Sequence, residues 1–270
     1  MKSARWAVFA ALVVAVAGIN SGCQKLQARD NLNKGVQAFK GAKYSDAVEY
    51  FKKAVDLDPT FPTARLYLAT AYMSQFIPGA DSPENMQYAK SAMDQFQKVL
   101  ADDNKNVLAT QSIANLYYQQ KKFDEAEEWN RKVLKLDPKN KEAYYTLGVL
   151  AWTKWLPVDR QARIDSKMKP EDPGPIKNTK VREELKAKWK PILDQGVKDE
   201  EQALAIDNEY DDAMAYMNLL IRYRADLMDT PEEYKKETEQ ADSWMTKSLD
   251  TKKVKAERKS AAAANGVKTQ

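Results

Sequence analysis

The sequence predicts an all-α protein assembled from consecutive helical hairpins. Three observations carry that expectation. Ala, Leu, Lys, Glu and Gln dominate the middle of the chain, and its 270 residues hold only 9 Gly and 11 Pro, a palette of helix formers rather than of strands. The hydrophobic fraction, 43%, is enough to bury a sizeable core. Small residues also recur at fixed distances: Gly35, Ala47, Ala54 and Pro59 are separated by 12, 7 and 5 residues, and so are Ala114, Ala126, Val133 and Pro138.

The N-terminus reads as an export signal. Lys2 and Arg5 precede an uncharged apolar run of 12 residues, 6–17, which is shorter than the ~20 that cross a bilayer as a helix. The run breaks into Gly18-Ile19-Asn20-Ser21-Gly22-Cys23, and a cysteine directly after Ser-Gly resembles the lipobox of bacterial lipoprotein precursors. That resemblance implies a signal peptide over 1–22, acylation of Cys23, and a short tether over 23–27; Asn20 stands where the motif usually has an aliphatic residue. The competing reading is ordinary cleavage after Ala15-Val16-Ala17, which leaves a free thiol on a soluble protein. A lone exposed thiol is a liability outside the cell and favours the lipid anchor. Gln24, where Asp would favour the inner membrane, implies an outer-membrane anchor facing the periplasm.

Residues 28–250 form the repeat body. Lys43-Tyr44-Ser45-Asp46-Ala47 matches Lys122-Phe123-Asp124-Glu125-Ala126, and Val55-Asp56-Leu57-Asp58-Pro59 matches Leu134-Lys135-Leu136-Asp137-Pro138. These segments resemble the tetratricopeptide repeat (TPR) family, a 34-residue helix-turn-helix unit with small residues at positions 8, 20 and 27 and Pro at 32. The family register, 10 residues from position 32 to the next position 8, joins Pro59 to Ala69, Asn104 to Ala114, Pro138 to Gly148 and Asn208 to Asn218. The resemblance therefore implies a right-handed superhelical array of about five units, near 28–61, 62–106, 107–140, 141–210 and 211–250. The spacing leaves 11 extra residues between Ala69 and Ala92, and a long insertion at about 153–190. The fifth unit departs most, with Asn218 and Ser248 at positions that the family keeps small.

Local signals place the remaining elements. Ser82-Pro83-Glu84 and Thr230-Pro231-Glu232-Glu233 restart second helices, each with a hydroxyl cap and proline at the first helical position. The long insertion, with Pro157, Pro170, Pro173, Pro175 and Pro191 and the tryptophans Trp155 and Trp189, predicts an excursion from about 155 to 178 and then a helix from Thr179 that kinks near Pro191. Three arrangements of the excursion compete: a flap packing its tryptophans on the array, an arm presenting Arg160, Arg163 and Lys167 on one face, and a mobile loop. The tail, 251–270, is expected to be basic and disordered, beyond a short extension of the last helix.

Two counts remove much of enzyme chemistry. The chain has no histidine, which excludes His-based nucleophile systems and imidazole metal ligands, and Cys23 is its only cysteine, which excludes multi-thiolate metal sites. Its acidic pairs read as solvated helix faces, so no enzyme activity, catalytic residue, cofactor or metal site is expected. Net charge is +4; the first residues contribute +2 through Lys2 and Arg5 and the tail +5, which leaves 24–250 at −3 and gives nucleic acid no basic fold to bind.

What the TPR resemblance implies is a protein-interaction scaffold. First helices line the family's concave groove, and its contact positions fall here on Asn33, Tyr67, Gln111, Asn115, Tyr118, Tyr145, Trp152 and Tyr216, with apolar positions at Leu32, Val36, Leu66, Val149 and Leu219. Aromatic and amide groups suit peptide recognition. Leu32 and Val36 stand where the family's carboxylate clamp has Lys and Asn, which speaks against recognition of a free C-terminus. The expected partners are envelope or periplasmic proteins or peptides, with assembly of envelope machinery as the role; the alternative is a binder or enzyme of cell-wall glycan or peptide on the same scaffold.

Overall fold

The structure, a computed structural model, describes residues 22–169 and 172–264. The signal peptide read at 1–22 lies outside the described residues except for Gly22, as does the end of the tail, 265–270. Among the described residues the chain forms ten helices and no strand. They are α1 (22–40), α2 (Tyr44–Leu57), α3 (Pro62–Gln75), α4 (Pro83–Asp102), α5 (Val107–Gln119), α6 (Phe123–Leu136), α7 (Lys141–Asp165), α8 (Thr179–Ile206), α9 (Asp211–Ala225) and α10 (Pro231–Ala264).

The same backbone devices recur at the helix ends. Helices α1, α5 and α7 each end on a left-handed residue, Ala42, Lys121 and Lys167. The residue after it donates its N–H back over the last turn, Lys43 to Ala38 at 3.0 Å, Lys122 to Tyr117 at 2.9 Å and Met168 to Arg163 at 2.9 Å, which satisfies carbonyls that the helix leaves open. Between hairpins an aspartate does the work. Asp58, Asp103, Asp137 and Asp207 each accept, through the side chain, the N–H two residues on, at 3.0–3.2 Å. Asn106 and Asn140 then cap α5 and α7 through their side-chain oxygens.

The chain divides into two compact halves, one ending at Trp129 and the other beginning at Asn130. In the N-terminal half α3 packs against α2, α4 and α5. Ala47, Ala54, Ala69, Ala92, Ala114 and Ala126 are buried at the helix crossings, where a larger side chain would hold the helices apart. Gly35 shows how close the approach is: a Cβ there would stand 2.4 Å from the Phe51 ring. The 11 extra residues of the second hairpin are shared between a longer turn, 76–82, and a longer second helix, α4 having 20 residues where α2 and α6 have 14; the turn is closed by the buried Asn85, which accepts the Ile77 N–H and donates to the carbonyls of Ile77 and Ala80.

In the C-terminal half α7 packs on α8 and α9, α8 on α9, and α9 on α10. Its core holds Trp155, Ile176, Leu193, Met217, Leu220, Ile221 and Leu227. The fifth hairpin replaces small residues by hydrogen bonds: Asn218 Nδ2 donates to Ala241 O at 2.7 Å and Ser248 Oγ to Asp211 O at 2.8 Å. Both side chains are buried, so the bonds remove the cost of their polarity.

Three expectations are corrected here. The excursion does not begin at 155: α7 runs through Pro157 to Asp165, because Trp155 on one side of the proline and Ala162 and Arg163 on the other are all buried. The basic arm is not formed. Arg160 and Lys167 are exposed, whereas Arg163 turns inward to pair with Asp226 at 2.9 Å, and Met168 and Ile176 are buried, so the segment is a packed flap. The tail from 251 is not disordered: α10 continues to Ala264, a stretch rich in Lys and Ala, and its exposed Lys255 and Arg258 pair with Asp211 and Glu209.

Candidate functional site

The residues expected to line a binding face separate into two groups. In the N-terminal half, Asn33 on α1 and Asn115 on α5 are exposed, and Asn115 accepts a bond from Gln119 at 3.0 Å. Tyr67 on α3 is 37% exposed and stacks on Phe51 with centroids 5.4 Å apart. Gln111 and Tyr118 on α5 are half-buried, Tyr118 lying 6.0 Å from the Phe123 ring. Leu32 and Val36 pack against the core shared by the first and second hairpins, and Leu66 against that shared by the second and third, so none of them is a free apolar face.

In the C-terminal half the structure brings Tyr145, Trp152 and Tyr216 together. Tyr145 lies 5.4 Å from Tyr216, edge to face, and Trp152 lies 5.8 Å from Tyr216 in the same geometry. Two further rings, missed in the sequence, extend the set: Tyr210 at 5.2 Å from Tyr145 and Tyr223 at 6.1 Å from Trp152. The result is a continuous row, Tyr210, Tyr145, Tyr216, Trp152, Tyr223, across the first helices of two successive hairpins. Tyr145 and Trp152 are seven residues apart on α7, and Tyr216 and Tyr223 seven apart on α9, so each pair shares a helix face. That spacing was the available signal for Tyr223.

The row is half-buried and electrostatically one-sided. Burial raises the Tyr145 phenol far above its usual value, helped by Tyr216 and Asp212; burial does the same to Tyr210, helped by Glu142 and Asp212. Both therefore stay neutral hydroxyls, able to donate or accept. Lys141 Nζ lies 5.0 Å from the Tyr210 ring centre and is engaged by Asp207 at 2.6 Å. The Trp152 indole N–H is buried without a hydrogen-bond partner among the described residues. Glu200 on α8, close enough to Tyr145 and Tyr210 to bear on their ionisation, is fully buried, and neither of its carboxylate oxygens has a hydrogen-bond partner among the described residues. Burial, reinforced by Asp199, pushes its pKa to about 10, so it is a neutral carboxylic acid at physiological pH. Among the described residues no group of acidic or cysteine side chains is arranged to hold a metal ion.

Residues 32–76 and 89–151 each match a tetratricopeptide repeat family pattern. These two stretches carry tetratricopeptide repeats. Two curated relatives, sperm-associated antigen 1 of Rattus norvegicus and of Mus musculus, are 31% identical over 132 and 135 residues, which is 49% and 50% of this chain. The chain spans only 13% and 14% of the length of those relatives. Among solved structures, MamA is similar with a TM-score of 0.54 at 14% identity, covering 86% of this chain and 94% of that one. MamA from Desulfovibrio magneticus RS-1 gives 0.55 at 14% identity, covering 84% and 96%. At such identities the likeness is one of fold: the TPR arrangement. Of the aromatic row, Tyr145 falls within the matched residues, and Trp152, Tyr210, Tyr216 and Tyr223 lie beyond them.

Proposed function

We propose that this chain is a protein-interaction scaffold of the bacterial cell envelope, tethered through a lipid on Cys23 and binding partner proteins or peptides on its first-helix faces, in service of assembling envelope machinery. The observation that carries the binding role is the aromatic row of the C-terminal half. Five rings, half-open to solvent and fixed by three edge-to-face contacts and one tilted contact, give a partner large contact area at little cost in side-chain entropy. The tether rests on the Ser-Gly-Cys23 signature behind an apolar run, and Cys23 is exposed at the start of α1. Among the described residues no helix is long and apolar enough to cross a membrane.

The test is capture after in-cell crosslinking, with tagged wild type compared against a Trp152→Ala/Tyr216→Ala variant whose helicity is checked by circular dichroism. A defined envelope protein captured by wild type and lost from the variant supports the scaffold; enrichment of cell-wall fragments alone replaces it with a glycan-binding role. Fatty-acid labelling tests the tether separately, and label persisting in Cys23→Ser rules out that anchor.

A further inference from the structure

A second candidate site lies at the flap and shares no residue with the aromatic row. Pro173, Gly174, Pro175 and Lys177 on the flap, Arg182 in the first turn of α8, and Asp229, Pro231 and Tyr234 around the start of α10 enclose an open notch of about 510 Å³. Its frame is held from several sides. Arg163 Nη2 donates to the Asp172 carbonyl at 2.5 Å, the Ile176 N–H donates to the Asp226 carbonyl at 2.9 Å, and Arg182 Nη1 donates to the Ile176 carbonyl at 2.7 Å. On the α10 side Thr230 Oγ1 accepts the Glu233 N–H, while Glu233 accepts the N–H groups of Asp229 and Thr230, so that acid is spent on the cap.

The chemistry of the walls is specific. Arg182 is only 9% exposed, and its Nε has no hydrogen-bond partner among the described residues. A buried guanidinium N–H without an acceptor is costly, and the edge formed by Nε and Nη2 is the one that takes a carboxylate or phosphate in two parallel bonds. Lys177 adds a second cation; it is 62% exposed and its bond to Asp172 is long, at 3.3 Å. Among the described residues the carboxylate lining the notch is that of Asp229, which Lys186 engages at 2.5 Å. Pro173, Pro175, Pro231 and Tyr234 supply flat, rigid apolar walls.

We infer that this notch binds a small organic anion, a carboxylate or phosphate carried on an apolar ring, with the anion on Arg182 and Lys177 and the ring between Tyr234 and the prolines.

The test is a titration of the protein with phenylacetate, followed by NMR, beside benzyl alcohol as the neutral analogue and inorganic phosphate as the bare anion. The expected result is a set of shifts confined to Gly174, Lys177, Tyr234 and the Arg182 Nε–H. Phenylacetate should bind about tenfold more tightly than benzyl alcohol, the worth of one charge-assisted pair. Arg182→Lys keeps the charge, removes the fork and should weaken phenylacetate about tenfold. Because Arg182 also holds the Ile176 carbonyl, Lys177→Gln and Tyr234→Ala provide the independent check, each weakening binding with the circular dichroism spectrum unchanged. Benzyl alcohol binding as tightly as phenylacetate, inorganic phosphate matching it, or no shift at these residues would each overturn the inference.

Discussion

At Gly148 the α7 backbone meets the Glu200 carboxyl so closely that a Cβ would stand 2.2 Å from Oε1. A small residue at this crossing is what the repeat requires, but here the neighbour is an acid rather than an alanine methyl. The acid tolerates the site by keeping its proton, since both oxygens lack partners and Asp199 adds a neighbouring negative charge. Two substitutions separate packing from charge. Gly148→Ala should cost about 1–3 kcal/mol through overpacking against the carboxyl. In Gly148→Ala/Glu200→Ala the added methyl enters the space the carboxyl leaves, so the double variant should be more stable than the sum of the single costs by about 0.5–3 kcal/mol. Urea unfolding of the four proteins measures the coupling, and strict additivity would show that the two residues do not press on each other.

Helix α7 and the flap depend on one ion pair. Arg163 and Asp226 are 10% and 9% exposed, and Asp159 beside them keeps its proton, its pKa pushed up to about 8 by burial and by Asp226. Arg163 also holds the carbonyls of Lys169 and Asp172, so it ties the flap to α7 and to the end of α9. Arg163→Met removes the cation and leaves a buried carboxylate uncompensated, which should cost about 3–5 kcal/mol. Limited proteolysis should then cut near residues 166–178 in the variant before any other region, and an unchanged cleavage pattern would mean that the flap is held by Ile176 and Met168 alone. This device was not legible in the sequence. Spacing put Arg160, Arg163 and Lys167 on one face, but which charge turns inward depends on Asp226, 63 residues away. The hairpin register was legible because it rests on small residues at helix crossings, a local requirement that repeats. Pro157 misled because burial on both sides of a proline outweighs its helix-breaking tendency, and the tail misled because the charge run was read as solvation although Lys and Ala favour helix.

For the molecule as a whole, the absence of histidine turns pH into a clean probe of these buried acids. Glu200 and Asp159 ionise in the unfolded chain near their ordinary values, 4.5 and 3.8, but in the folded protein only at about 10 and about 8. Between those limits the folded state holds protons that the unfolded state has released. Their contribution is therefore fully present at low pH and is lost as pH rises, at no more than about 1.4 kcal/mol per pH unit for each group. The opposite sign applies to Asp207 and Asp229, held below the usual range by hydrogen bonds from Lys141 and Lys186; the stability they contribute is lost as pH falls through their lowered values. Stability should accordingly peak near pH 4–5, above the acid limb and at the start of the alkaline one, and decline through pH 8 with no histidine titrating in between. Thermal or urea unfolding across pH 4 to 9 measures this, and Glu200→Gln/Asp159→Asn should flatten the decline while raising stability at pH 8. A wild-type profile already flat between pH 5 and 8 would mean that both carboxyls ionise inside the folded protein, and the neutral acid facing Gly148 would have to be replaced by a buried anion with a counter-charge.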